Sequence, residues 1–471
     1  MQLARQREQS GYSDHRHGIC LQFRISSALE GQVVAGKPFH LAWFLQGSSA
    51  QAWGEAWTGH IGTSWMEPEL FLNMARTLER ACFDYILLED SSYVGESFGG
   101  STEIYLKNAI AVPRQDPSVV AALMTQVTSR IGIVPTFGTY AYHPYLLARL
   151  VATLDQVSGG RIGWNAVTGS SDFAAMNFGM QGMPEHDLRY DMADEYMEVC
   201  RGLWGSWEPG ALIADRKSGV LVDHTKVHAV NYQGKYFSTR GPLNSGPAPQ
   251  GQPVIAQAGG SPRGRKFAAA HADTIVVHAK GIEAMKAYRD DVHKHMVAQG
   301  RKPSDCKVLF LINPIIGETM EEARDRKKKR EAIAFEKIDE RLAHFGKVTN
   351  IDFGRFDLDK PLPDHVTTNG HQANLEQFRK MANGRSIRET MASFNAVDLS
   401  VELVGTPDHI AARMGEVMDE VGGDGFLFSM PNVNRRTLAE IEDGLVPALQ
   451  DRGLMRTAYE HKHFRDNLLA Y

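Results

Sequence analysis

The run Ser-Gly-Gly-Arg-Ile-Gly-Trp-Asn-Ala-Val-Thr-Gly, residues 158–169, decides the fold. Just before it, residues 144–157 repeat apolar side chains at helical spacing, which predicts a helix with one buried stripe. Gly159 and Gly160 end this helix, because glycine takes up the left-handed backbone conformation without a Cβ clash. The short apolar segment 161–168 predicts a strand, and the polar loop from Gly169 follows its carboxyl end. We therefore interpret the stretch as a helix, a tight turn, a barrel strand and a functional loop.

The same alternation of strand and helix runs through the chain. Strands are predicted at residues 40–46, 84–89, 131–137, 161–168, 253–258, 274–278, 307–313 and 425–429. Helices are predicted at residues 69–81, 117–129, 144–157, 189–204, 264–271, 283–299, 320–345, 408–421 and 435–452. Eight such units predict the α/β class and a closed (β/α)8 TIM barrel in preference to an open sheet.

The chain is longer than the fold requires. A plain barrel of this type needs about 250 residues, whereas this chain has 471. We expect one barrel domain over residues 38–471, with irregular insertions at about 208–251 and 347–397, after an N-terminal arm over residues 1–37. Within the arm, residues 21–25 are interpreted as a short strand. The second insertion is a candidate lid or a mobile surface loop, and the tryptophans at 53, 57 and 65 are candidates for an apolar wall or for core.

Charge and cysteine content limit the function. The formal net charge of −5 gives no basic surface for nucleic acid. The four cysteines lie far apart without a CxxC pair, which argues against zinc and against a disulfide framework. No segment approaches the roughly 20 apolar residues of a membrane span. These observations predict a cytoplasmic protein with a small-molecule substrate and no membrane or nucleic-acid partner.

Candidate ligand-binding residues follow the predicted strands, where barrel enzymes place their chemistry. Asp90 and Thr136 stand at two strand ends, and a loop from Gly259 to Arg265 follows the fifth strand. Its glycines admit a close ligand, and its serine, arginine and helix N-terminus suit a phosphate. The alternative is a strand-to-helix turn with a serine cap. Because neither GxGxxG nor GxxxxGK[ST] occurs, the loop indicates a mononucleotide rather than a dinucleotide.

Histidines offer a second group of candidates. His186 and Tyr190 share one helix face at i, i+4 spacing, which also suits capping and packing. His224 and His228 have the same spacing without an HExxH motif, so we predict no metal site. A metal-dependent hydrolase is therefore a less favoured alternative.

Three blocks together resemble one known family. Residues 158–168, 185–190 and 257–261 are similar to the nitrilotriacetate monooxygenase branch of the bacterial-luciferase-like flavoproteins. That branch includes monooxygenases of EDTA, dibenzothiophene sulfone, dimethylsulfide and long-chain alkanes, and the resemblance covers nearly the whole chain from Phe39. The chain departs from the family in its N-terminal arm and in an extra stretch at 94–113. By position, the resemblance implies that the flavin contacts Asp90, Thr136, Asn165, His186, Tyr190, Gly260 and Ser261, with Ser261 at the phosphate.

The resemblance also implies a reaction. Reduced FMN (FMNH2) from a separate NAD(P)H:FMN reductase would react with O2, and a flavin C4a-hydroperoxide would insert one oxygen atom into a small organic substrate. His143 or His186 would transfer protons, and the enzyme would be a homodimer or homotetramer. The alternatives are a deazaflavin-dependent oxidoreductase and a non-catalytic flavin-binding protein. The substrate stays open among aminopolycarboxylates, sulfur compounds, alkanes and aromatic compounds.

Overall fold

The computed structural model describes residues 37–46, 67–394, 399–430 and 434–471. The predictions for the N-terminal arm before residue 37, including its short strand, lie outside the described residues. So does the prediction of an apolar wall formed by the tryptophans at 53, 57 and 65.

Eight parallel strands form a closed barrel in which each strand pairs with its sequence neighbours and the last pairs with the first. They are β1 (His40–Leu45), β2 (Tyr85–Leu88), β3 (Gly132–Gly138), β4 (Gly163–Val167), β5 (Val254–Gln257), β6 (Thr274–Val277), β7 (Lys307–Ile312) and β8 (Gly425–Phe428). The predicted (β/α)8 barrel is confirmed. Two short antiparallel pairs, Leu212–Asp215 with Val220–Val222 and Tyr232–Gln233 with Ser238–Thr239, follow β4, and Ile315–Ile316 pairs in parallel with Val404–Gly405 after β7.

Helices surround the barrel and fill its connections. Between β1 and β5 they are α1 (Glu69–Arg80), α2 (Glu103–Lys107), α3 (Pro117–Thr125), α4 (Pro144–Ser158), α5 (Asp172–Asn177) and α6 (His186–Trp204). Between β5 and β8 they are α7 (Pro262–His271), α8 (Ile282–Ala298), α9 (Met320–Glu336), α10 (Ile338–Thr349), α11 (Gln372–Ala382), α12 (Ile387–Ser393) and α13 (Pro407–Val421). After β8 come α14 (Arg435–Ala439), α15 (Val446–Asp451) and α16 (Phe464–Leu468). In the described part of the chain, no helix has the length and apolar composition needed to cross a membrane.

The C-terminal helix α16 closes the amino-terminal end of the barrel, which the sequence did not predict. Phe464 and Leu468 are fully buried among the inward-facing side chains of the strands. A Cβ atom on Gly132 would lie 2.6 Å from the Phe464 ring, so the first residue of β3 has to be small. Because α16 fills this end, the end of the barrel that is available to a ligand is the one at the carboxyl ends of the strands, where barrel enzymes bind substrates.

Two predicted helices differ from those observed. The predicted helix 320–345 is two helices, α9 and α10, separated at Lys337, whose ψ of 34° leaves the helical region. The predicted closing helix 435–452 contains a π-helical stretch at Glu440–Leu445 between α14 and α15. Helix α9 is largely exposed, whereas the buried face of α10 packs against the second insertion, so the two helices have different packing partners.

The second insertion is folded, so its interpretation as irregular chain is wrong. It contains α11 and α12, and its aromatic side chains pack around Phe345 of α10 with ring centroids 5.1–5.6 Å apart. These side chains are Phe353, Phe378 and Phe394. Its hydrophobic core is therefore separate from that of the barrel.

Arg161, within residues 158–169, joins β4 to the preceding unit. Its side chain is buried, and its guanidinium donates to the carbonyl oxygens of Ser158 (2.9 Å), Thr125 (2.9 Å) and Ile131 (3.3 Å). It also donates to the Thr128 hydroxyl at 2.8 Å. One side chain thus satisfies buried backbone groups from three segments.

Replacing Arg161 with methionine is expected to lower the free energy of unfolding by about 1.5–3 kcal/mol, because buried carbonyl groups lose a charged donor. Urea denaturation followed by circular dichroism measures the loss. The control is Arg76→Met on the exposed face of α1, which should change stability by less than about 0.5 kcal/mol. Equal losses in the two variants would contradict the structural role of Arg161.

Candidate active site

The ends of β3 and β4 place two polar side chains together inside the barrel. Thr136 and Asn165 are register partners, and the Asn165 amide donates to the Thr136 hydroxyl at 2.8 Å. Both residues are buried, and among the described residues the Asn165 Oδ1 atom has no hydrogen-bond partner. A buried acceptor without a donor is costly, so this atom indicates a donor supplied by a ligand.

Tyr190 and His186 lie on the first turns of α6, as their spacing predicted. Their ring centroids are 5.2 Å apart, and His186 Nδ1 is 2.6 Å from Asp187 Oδ1. Burial raises the pKa of Tyr190, while its hydroxyl interacts with Thr168, Gln257 and Ser261, which lower it in part. The tyrosine thus connects the carboxyl ends of β4 and β5 to the loop that follows β5.

The loop after β5 is both a helix cap and a close-approach site. Ser261 Oγ accepts from the Gly264 backbone N–H at 3.0 Å and caps α7. A Cβ atom on Gly259 would lie 2.7 Å from the Gly264 carbonyl, so this position requires glycine. At Gly260 a Cβ would lie 3.0 Å from the Cβ of Ala373, which brings the second insertion against the loop.

Arg263 does not supply the free positive charge that the sequence suggested. Its Nη2 atom is 2.9 Å from an Asp191 oxygen and 2.6 Å from an Asp194 oxygen, both on α6. Because this guanidinium is paired with two carboxylates, a phosphate at the loop would depend on hydroxyl groups and backbone N–H groups instead.

Two carboxylates follow β2 in different electrostatic environments. Burial raises the pKa of Asp90 to about 6, although Arg114 opposes the shift. Burial also disfavours the Glu89 carboxylate, but Arg114 and Lys347 outweigh it and lower the pKa of Glu89 to about 2. Glu89 is thus fully ionised at neutral pH, and Asp90 takes up a proton under mildly acidic conditions.

Helix α10 and the second insertion add three titratable side chains that the sequence reasoning missed: His344, Lys347 and His371. Both histidine residues are solvent-exposed in the fold, although the protein around their rings desolvates them. Burial is the main cause that lowers both pKa values to about 4, assisted by Lys347 at each ring and by Arg189 at His371. Neither ring is charged at neutral pH, so each offers one donor and one acceptor.

His143 has a structural role in the fold. It is exposed, and its Nδ1 atom accepts from the Tyr145 backbone N–H at 3.2 Å, which caps α4. That contact explains a histidine at this position, and a catalytic role for it remains a prediction.

Five of the predicted site residues form two connected groups at the carboxyl ends of the strands. One group runs from His186 through Tyr190 to Ser261, and the other joins Thr136 to Asn165. Electrostatic interaction between His371 and His186 links the first group to the insertion. Among the described residues, no group of three or more His, Cys, Asp or Glu is arranged to hold a metal ion.

These residues fit a flavin mononucleotide. The unpartnered Asn165 oxygen suits a ring N–H group, and the glycine-restricted loop with its serine cap suits a phosphate. The Tyr190 hydroxyl lies beside this loop and can donate to the same phosphate.

Comparisons with known proteins show the family to which the chain belongs. The model of the luciferase-like monooxygenase family matches residues 44–425. A dibenzothiophene-sulfone monooxygenase of Rhodococcus erythropolis (strain XP) is 34% identical over 446 residues, covering 92% of this chain and 96% of that protein. Nitrilotriacetate monooxygenase component A of Aminobacter aminovorans is 34% identical over 409 residues, covering 85% and 89%. A riboflavin lyase, crystallised with modified FMN and riboflavin, superposes with a TM-score of 0.81 at 29% identity and coverage of 92% and 95%.

Proposed function

Because the chain belongs to the luciferase-like monooxygenase family and is a flavin-dependent monooxygenase, we propose that it is the oxygenase component of a two-component system that uses reduced FMN. The observation that carries this proposal is the arrangement of Tyr190 and Ser261 beside a loop whose backbone requires glycine at 259. It suits a mononucleotide phosphate at the carboxyl ends of the strands.

The chain's own residues would hold the flavin in two places. Ser261 and Tyr190 would donate hydroxyl hydrogens to the phosphate, while Asn165 would accept from the ring and keep Thr136 oriented through its amide. His186 and Asp90 would lie along the ring edge, where Asp90, with a pKa of about 6, takes up a proton under mildly acidic conditions. Gly260 would allow the backbone to approach the phosphate closely.

Reduced FMN would supply the two electrons that, with O2, place one oxygen atom in the substrate and release the other as water. The folded insertion supports this chemistry, because Ala373 packs against the loop at Gly260, and a covered site protects a reactive oxygen intermediate from water. The relative from Aminobacter aminovorans is named as component A of its monooxygenase. We accordingly propose that a separate NAD(P)H:FMN reductase supplies the reduced flavin to this chain. We also propose that this chain forms a homodimer or homotetramer in the cytoplasm.

The proposal predicts selective binding of FMN and oxygen transfer. Anaerobic equilibrium dialysis should show that reduced FMN binds, and that Tyr190→Phe weakens binding by about tenfold, the effect of one lost hydrogen bond of about 1–1.5 kcal/mol.

With a reductase and NADH, 18O2 should label the product of a substrate panel. Lack of FMN binding in either redox state would contradict the proposal, and reduction of a deazaflavin without O2 consumption would favour the alternative oxidoreductase.

A further inference from the structure

Arg114, between α2 and α3, is a buried cation with unused donors. Its side chain is only 6% exposed, and its Nη2 atom lies 3.1 Å from a Glu89 oxygen. Its Nε and Nη1 atoms have no hydrogen-bond partner among the described residues. Buried guanidinium donors are normally satisfied, so two open ones indicate an acceptor that the described residues do not supply, such as a ligand.

Lys347 of α10 is a second buried cation beside the first. The residue is 2% exposed, and its ammonium donates to the Ser91 hydroxyl at 2.9 Å. Within the described part of the chain, no carboxylate oxygen lies within 4.0 Å of its Nζ. Burial and Arg114 together lower the pKa of Lys347 to about 8, as expected for an ammonium held close to another cation.

The neighbouring carboxylates Glu89 and Asp90 offset the positive charge of Arg114 and Lys347 without accepting hydrogen bonds from the open Arg114 donors. Glu89 contacts Arg114 through one nitrogen only, and neither Glu89 nor Asp90 reaches the lysine. Because Asp90 has a pKa of about 6, it can take up a proton when an anion arrives, which limits the build-up of negative charge. The cluster can therefore accept one further anionic group.

An apolar surface adjoins this pair of cations. The ring of Tyr93 lies 5.2 Å from the Lys347 ammonium and stacks on Phe173 with centroids 6.3 Å apart. Tyr140 and Met183 belong to the same hydrophobic cluster, next to the loop at Gly169. A ligand held by the cations would thus have its body against aromatic side chains.

We propose that Arg114 and Lys347 form the substrate's anion-binding site, which takes one carboxylate or sulfonate group of a substrate whose body is aromatic or otherwise apolar. This assignment rests on the proposed function, since it places the anion beside the flavin site. The anion-binding site lies at the end of β2, whereas the flavin phosphate would lie after β5. The insertion therefore selects the substrate by contributing Lys347 to a site that the barrel alone leaves incomplete.

The test measures binding of four probes by calorimetry to the full-length protein, with saturating oxidised FMN and again without flavin. The probes are benzoate and benzenesulfonate, each compared with its amide. The wild-type protein should bind at least one acid about 10- to 100-fold more tightly than its amide, the range of charge-assisted hydrogen bonds. Lys347→Met and Arg114→Gln should each remove most of this preference and leave FMN affinity unchanged.

Exposed residues provide matched controls. Lys107→Met and Arg355→Gln change the same side chains at surface positions and should retain the preference. If Arg114→Gln fails to fold, Lys347→Met alone decides. Equal binding of acids and amides to the wild-type protein would overturn the proposal, as would a preference that survives both substitutions. Altered FMN affinity with an intact acid preference would assign the pair to the cofactor and also overturn it. The binding measurement without flavin does not depend on FMN. A failure of FMN binding, which would contradict the proposed function, is therefore distinguished from a loss of the preference for acids.

Discussion

Flavin binding is expected to weaken by about 10- to 100-fold when Gly259 is replaced with alanine. The added Cβ atom would lie 2.7 Å from both the carbonyl carbon and the oxygen of Gly264, and 2.5 Å from Gln257 Oε1. Backbone atoms at the start of α7 cannot move aside as a flexible side chain would, so the loop has to shift. An overpacked position of this kind costs about 1–3 kcal/mol, which corresponds to the stated loss if the strain is relieved at the phosphate site.

The loss should affect the cofactor more than the fold. FMN affinity is measured by fluorescence quenching, and thermal unfolding of the flavin-free protein reports stability. Gly202→Ala on α6, where the new Cβ would lie 3.1 Å from a Val230 methyl group, is the matched control and should bind FMN as the wild-type protein does. If Gly259→Ala binds FMN normally, the phosphate does not lie at this loop.

The sequence predicted the barrel well because the evidence for it is local. Each barrel strand is a short apolar run, and Gly159 with φ of 71° ends α4 in the way that the opening stretch indicated. The contact between His186 and Tyr190 is likewise local, since i, i+4 residues share a helix face. Patterns of a few residues were sufficient for these features.

The second insertion was misinterpreted because its order comes from distant contacts. Its helix α11 buries only Leu375 and Phe378, too few apolar positions for a clear helical period. Its core forms when Phe378 meets Phe345 of α10, 33 positions earlier in the chain. Periodicity in one segment cannot report such a pairing.

The anion site was missed for the same reason. Lys347 and Ser91 are 256 positions apart and meet only in the folded chain. One signal was present in the sequence: the lysine stands between Gly346 and Thr349, which are buried, on the packed face of α10. A lysine on an otherwise buried helix face is rare without a partner, and this criterion could have selected it.

A buried ionic network at the opposite end of the barrel carries the second large effect, on stability. Asp84, just before β2, is buried, and its Oδ1 atom lies 2.9 Å from His40 Nδ1 and 2.8 Å from Arg456 Nη2. Its Oδ2 atom accepts from the Leu41 backbone N–H at 3.0 Å. The carboxylate thus joins the starts of β1 and β2 to the segment that precedes α16.

Replacing Asp84 with alanine is expected to destabilise the protein by about 3–5 kcal/mol at pH 7, because it leaves Arg456 buried without its partner. Burial alone would raise the pKa of Asp84, but His40 and Arg456 outweigh it and hold that pKa below its usual value. A lowered pKa in the folded state stabilises above the unfolded pKa of about 3.9 and loses that effect as pH falls through the folded pKa. The difference between wild-type and variant proteins should therefore be full at pH 7 and shrink below about pH 4. Urea denaturation at pH 7 and pH 3 measures this difference in stability.

The control is Glu442→Gln, which breaks an ion pair with the exposed Arg80 and should lower stability by no more than about 1 kcal/mol. A similarly small loss for Asp84→Ala would show that the buried ionic network does not stabilise this end of the barrel.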